Sequence, residues 1–114
     1  EPRLNHGDLR LKNVLVDDDG RISAIIDWEF ALAAPAPEWD LALALHDLSI
    51  DEKDAFIEGY GLNHDEFVSL VPALAALNIL HYAPFGAAAA QAEDDKQLRR
   101  FRRRFARAYD LYSL

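Results

Sequence analysis

The octapeptide His6-Gly-Asp-Leu-Arg-Leu-Lys-Asn13 gathers cations, a carboxylate and a carboxamide around one glycine, directly ahead of Val14-Leu-Val-Asp-Asp-Asp-Gly-Arg-Ile-Ser-Ala-Ile-Ile-Asp-Trp28. The second segment is rich in β-branched residues, and its Asp19-Gly20 pair is a strong signal for a two-residue type I′ turn. Strands are therefore expected at about 14–17 and 22–27. With Asp19-Gly20 as the loop, Asp18 pairs with Arg21 and the register carries Asn13 opposite Ile26. Asp27 then lies one residue further along the same end of the ribbon. Both faces of this hairpin are apolar, so it is expected to be covered on both sides.

Working outward, the pattern turns helical. Pro35 and Pro37 break the chain, and Glu38 to Leu48 is apolar enough for a mostly buried helix. Ser49 with Glu52 forms a capping box for a second helix, which Gly59 and Gly61 are expected to close. Asn63 with Glu66 resembles another such cap. The Ala/Leu-rich stretch from Asp65 to about Gln91 is expected to start a helix near Pro72 and to be interrupted at Pro84-Phe85-Gly86. A last helix over roughly Asp94 to Tyr112 steps through Leu98, Phe101, Phe105, Ala108, Tyr109 and Tyr112, the spacing of a docking face with arginines on its other sides.

Composition bounds the whole. A chain of 114 residues, 51% of them hydrophobic, supports one modest core and not two domains. Residues 1–95 hold 19 acidic and 5 basic side chains, whereas residues 96–114 hold 7 basic and 1 acidic. Such a surface repels nucleic acid over most of its area. The apolar runs read as too short for the ~20 residues of a membrane span, so neither a membrane nor a nucleic acid is expected as a partner. Without cysteine there is no disulfide, thiolate metal site or thiol nucleophile, which is compatible with a cytoplasmic location. The chain also lacks methionine and opens directly on Glu1-Pro-Arg-Leu-Asn5, as a fragment of a longer protein would, or equally one whose tag or leader has been trimmed.

The polar end of the hairpin carries the chemistry. A carboxylate and an amide oxygen are hard ligands suited to magnesium bound with phosphates, and a second carboxylate held apart from them can take a hydroxyl proton. Singly, each of these residues has a plainer reading, with Asp8 and Asn13 as turn residues and Asp27 as a strand end. Together, His6-Gly-Asp8-x-x-x-x-Asn13, a short hairpin and Ile26-Asp-Trp-Glu29 resemble the aminoglycoside phosphotransferase family, the small-molecule branch of the protein-kinase-like fold. The related protein-kinase signature is H-R-D-L-x-x-x-N followed by D-F-G. Four fixed residues at set spacing arise by chance on the order of once per thousand chains of this length.

The resemblance implies an α+β, mainly α fold: a kinase-like C-terminal lobe in which one hairpin precedes a helical bundle. Residues 1–114 would be that lobe, with the nucleotide-binding N-terminal lobe missing and the fragment inactive alone. The implied activity is transfer of a phosphoryl group from ATP or GTP, with Mg2+, to a hydroxyl of a small molecule. Asp8 matches the catalytic aspartate, and Asn13 and Asp27 match the magnesium ligands. His6 and Asp40 match residues that support the catalytic loop. Gly7 stands where protein kinases have an arginine that answers to phosphorylation, which suggests a constitutive enzyme. Arg10 falls where protein kinases place a lysine against the transferring phosphoryl group, and its guanidinium suits phosphate oxygens; Lys12 is more simply a solvent-exposed residue. Trp28 and Trp39 read as core residues, and His46, His64 and His81 lack ligand spacing. The acids Glu38, Asp47, Asp51, Glu52, Asp54 and Glu58 suit a cationic acceptor such as an aminoglycoside or amino alcohol. A non-catalytic kinase-like interaction module and, with less support, a metal-dependent hydrolase are the alternatives.

Overall fold

The computed structural model describes residues 1–110, the side chains of 109 and 110 excepted. Tyr109 as a docking residue and Tyr112 as a helix end therefore lie outside what is described. The order is β1 (Arg3–Asn5), β2 (Val14–Val16), β3 (Ile22–Ile25), β4 (Leu32–Ala34), α1 (Glu38–Leu45), α2 (Ile50–Tyr60), α3 (His64–Gln91) and α4 (Asp95–Asp110). This is the mainly α, α+β architecture that the sequence implies. Two short 3-10 turns, Leu11–Asn13 and Trp28–Phe30, flank the hairpin.

The hairpin forms, but its turn is not the two-residue one. Asp17 closes on Arg21, the Gly20 N–H donates back to the Asp17 carbonyl, and the Asp17 carboxylate accepts from the Asp19 and Arg21 N–H groups. The side chain of Asp17 thus outcompetes the Asp-Gly signal, leaving a three-residue loop with Gly20 at φ 78°. That loop shifts the register by one residue, and an irregularity at Leu15/Val16 shifts it back. The Ile26 N–H consequently donates to the Asn13 carbonyl at 3.0 Å, so the expected pairing at the functional end survives two compensating departures.

A second antiparallel pair, β1 with β4, has no counterpart in the sequence reading. Three-residue strands are too short to show alternation, and only the chain reversal at Trp28–Phe30 brings them together. The hairpin is also not covered: Leu15, Val16, Ile22, Ile25 and Ile26 are all exposed. No helix of the described chain packs over it, because the core lies elsewhere. That core joins Leu41, Ala42 and Leu45 of α1 to Leu48, Ile57, Phe67 and Leu74.

Both capping boxes form, Ser49 with Glu52 and Asn63 with Glu66. Helix α2 runs through Gly59 and ends only before Gly61. Helix α3 is continuous over 28 residues with Pro72 and Pro84 inside it, so neither proline marks a start or a break. Each removes one N–H, orphaning the carbonyls of Val68 and Leu80; all four residues stand on exposed positions where water can serve those carbonyls. Between Glu66 and Glu93 there is no charged residue, and by length and composition α3 could cross a membrane, which corrects the expectation from the apolar runs. In this fold one of its faces, with Phe67, Leu74, Asn78, Tyr82, Gly86 and Ala89, is buried, and it packs on α1 and α4. The core helix of a soluble protein meets the same criteria.

His46 follows α1 and is 2% exposed. Burial, with Arg104 adding to it, pushes its imidazole pKa down to about 4. The unfolded chain takes up this proton near pH 6.5 and the folded one only near 4, so stability is full above pH 6.5 and falls as pH drops toward 4. The expected loss is about 3 kcal/mol. Half-buried His81, also shifted down by burial, adds in the same direction. Urea denaturation between pH 7 and pH 4.5 should show a slope that His46→Gln largely removes; equal slopes in both proteins would refute the assignment.

Candidate active site

The loop between β1 and β2 is fastened at its base by one carboxylate. Asp40, in the first turn of α1, accepts the N–H of His6 at 2.6 Å and that of Gly7 at 2.9 Å. This geometry gives Asp40 the loop-supporting position that the resemblance implies. His6, 3% exposed, completes the fastening: Nε2 lies 2.8 Å from the Ile26 carbonyl and Nδ1 accepts the Asp8 N–H at 3.2 Å. The tautomer with its proton on Nε2 satisfies both contacts. The His6 ring lies 4.6 Å from that of Trp28, whose indole N–H donates to the Ile25 carbonyl. Trp28 is thus a half-exposed cover on the loop and not a core residue.

Removing the Asp40 carboxylate strands two backbone donors in a partly buried place. Asp40→Ala is expected to cost about 2–4 kcal/mol of stability, and Asp40→Asn, which keeps one oxygen but turns a donor toward the other N–H, at least about half of that. Chemical denaturation checks this, and a loss under about 1 kcal/mol for Asp40→Ala would show that the paired hydrogen bonds do not matter.

Asp8 and Asn13, which the resemblance grouped in one site, come into direct contact. The 3-10 turn at Leu11–Asn13 folds Asn13 back so that its Nδ2 donates to the Asp8 carbonyl at 2.9 Å and to the Asp8 carboxylate at 3.2 Å. Because the amide nitrogen is used inward, the amide oxygen of Asn13 is left as an acceptor. Asp27, at φ 69° and ψ 54°, stands exposed just past Ile26 and so beside the Asn13 strand end. An amide oxygen and a free carboxylate are the donor types that magnesium takes, so these two residues fit that ion. Among the described residues no group of three or more His, Cys, Asp or Glu forms a metal cage.

Lys12 is exposed, as expected, but it is the cation that faces Asp8. Lys12 Nζ lies 2.7 Å from the Asp8 carboxylate, one turn along the chain. Arg10 is instead bound through Nε to Asp47, which follows α1. A second arginine, Arg104 of α4, approaches the other oxygen of Asp47 at 4.0 Å, donates to the Tyr82 hydroxyl at 3.0 Å and lies over the Tyr82 ring. Asp8 and Arg10 nonetheless line one cavity of about 290 Å³ together with Tyr82 and Arg104. Sequence reasoning missed Lys12, Asp47, Tyr82 and Arg104; only the Asp8–Lys12 spacing of four residues was visible locally.

A loop bearing one carboxylate next to a carboxamide, with a second acid across a hairpin, defines a site able to take a hydroxyl proton beside hard oxygen donors. The chain belongs to the phosphotransferase enzyme family (APH), whose family model matches residues 1–77. That span contains every residue of the loop, the hairpin and α1. Neither curated proteins nor solved structures gave a match to this chain.

Proposed function

We propose that this chain is the catalytic, C-terminal lobe of a magnesium-dependent phosphotransferase that moves a phosphoryl group from ATP or GTP to a hydroxyl of a small molecule. The observation that carries this reading is the Asp8–Asn13 pair on a loop fastened by Asp40 and His6. Asp8 accepts the hydroxyl proton as the bond from the alcohol oxygen to phosphorus forms and the bond from phosphorus to the nucleoside diphosphate breaks. Lys12 pairs with the Asp8 carboxylate and holds it in one orientation. The Asn13 amide oxygen and Asp27 would hold magnesium. Bound there, the ion neutralises charge on the nucleotide phosphates. The bare apolar faces of the β2–β3 hairpin support a separate nucleotide-binding lobe covering it.

The test is phosphoryl transfer by the full-length protein from magnesium-ATP or magnesium-GTP to a panel of small alcohols, followed by phosphorus NMR. Asp27→Asn is expected to raise the magnesium concentration needed for half-maximal rate about tenfold or more, as loss of one charged ligand requires. Absence of nucleotide binding at millimolar magnesium would favour a non-catalytic module instead. A hydrolase has less support, since it needs more convergent ligands than the described residues provide.

A further inference from the structure

The charge around Asp8 does not match the acidic surface of the rest of the chain. The cavity it lines is also lined by three arginines, Arg10 from the loop and Arg100 and Arg104 from α4. Asp8 is answered by Lys12, and the single carboxylate of Asp47 is shared between Arg10 and Arg104. Arg100 has no acidic partner among the described residues, so the cavity carries an excess of positive charge. Of the acids that suggested a cationic acceptor, Asp47 is taken up by Arg10 and Arg104, and Asp54 and Glu58 border a different cleft, beside His64 and Phe67. Phe30, Phe85 and Phe101 add aromatic walls, the last two stacked at 6.2 Å.

A second observation extends the cationic surface. His46, buried with its Nδ1 unpartnered, borders an adjoining cleft with Arg100, Arg103, Arg104 and Arg107. Four guanidiniums of α4 thus converge where this helix meets the end of α1. A cationic alcohol entering beside Asp8 would be repelled, whereas a carboxylate or phosphate group would find the fork-shaped donors that suit it.

We infer that the cavity beside Asp8 takes an acceptor alcohol that carries an anionic group, held by Arg100 and Arg104, on a flat apolar body packed between Phe30 and Phe101. This rests on the phosphotransferase reading for the word acceptor, and the anion preference rests on the α4 arginines alone. At about 290 Å³ the cavity lies at the small end of ligand sites, which suits a single-ring molecule.

The experiment titrates the full-length protein with 3-phenyllactate, with its neutral counterpart 3-phenylpropane-1,2-diol and with the cationic phenylalaninol, read by calorimetry. Phenyllactate is expected to bind about tenfold or more tighter than phenylalaninol. Arg100→Ala is expected to weaken phenyllactate roughly fivefold more than it weakens the diol, and Arg100→Lys to keep most of the affinity. Phenyl phosphate run alongside separates the two anions, the tighter of the pair identifying the group. The inference is overturned if phenylalaninol binds as well as phenyllactate, or if neither anion binds at millimolar concentration. It is overturned too if Arg100→Ala weakens magnesium-ADP by as much as phenyllactate, which would assign the cations to the donor. No turnover is needed, so a failed anion preference leaves the phosphotransferase reading standing, and failed phosphoryl transfer leaves the anion site standing.

Discussion

Asp8→Asn in the full-length protein is expected to lower kcat by about 10²–10⁴, the range for removing a positioned general base, or about 2.7–5.5 kcal/mol of barrier. The substitution keeps the size of the side chain and the main-chain carbonyl that Asn13 uses, so the loop should hold its shape. The nucleotide KM is expected to change by less than about threefold, since Asp8 acts on the acceptor and not on the donor. What is lost is the charge that Lys12 faces and the oxygen that takes the hydroxyl proton. A loss of turnover under tenfold would remove Asp8 from the chemistry. Equal rises in the KM of nucleotide and acceptor would instead point to a collapsed loop.

Gly7→Ala is expected to have the largest effect on folding. The backbone at Gly7 has φ 83°, and an added Cβ would fall 2.3 Å from the Phe30 carbonyl oxygen and 2.9 Å from its carbon. Neither atom belongs to a flexible side-chain end. Left-handed strain of about 1–2 kcal/mol therefore adds to a main-chain collision that only a shift of the 3-10 turn or the loop can relieve. A total of roughly 4 kcal/mol or more is expected, a large share of the 5–15 kcal/mol that holds a domain. Gly20→Ala is the control, because φ there is 78° but nothing lies within 4 Å of the new carbon. Urea unfolding should separate the two by at least about 2 kcal/mol; similar losses would mean that the collision is relieved at little cost. The Gly7→Ala protein should also lose phosphoryl transfer, since Gly7 links His6 to Asp8.

Between these two residues lies the part of the site that was legible beforehand. Asp8 and Asn13 are five residues apart and the resemblance grouped them, but that a single 3-10 turn brings their side chains into contact was not read from the spacing. The end of the hairpin was placed opposite Asn13 from register alone. It arrived there although the turn has one residue more than expected, because the strand irregularity restored the count. Asp40 was expected to hold the loop from its resemblance, and its two hydrogen bonds supply the physical means. The partner of Arg10 was not legible, since Asp47, which Arg104 also approaches, is far along the chain and its spacing from Arg10 carries no pattern. The uncovered hairpin went against expectation because apolar pattern reports what can be buried, not what is, and α3 ran uninterrupted because its two prolines each cost one hydrogen bond on an exposed face.

The sequence alone determined the elements whose causes are local: the capping boxes at Ser49 and Asn63, and the hairpin with Asn13 and Asp27 at one end. It also carried the family, through residues whose spacing is short enough to read without a fold. Only the tertiary structure decided which cation faces Asp8, how two prolines fit inside one helix, and that arginines of α4 stand over a loop some 90 residues earlier in an otherwise acidic chain. Short-range geometry is written in periodicity, but a charge acquires its partner only when helices pack, and packing depends on the whole core at once.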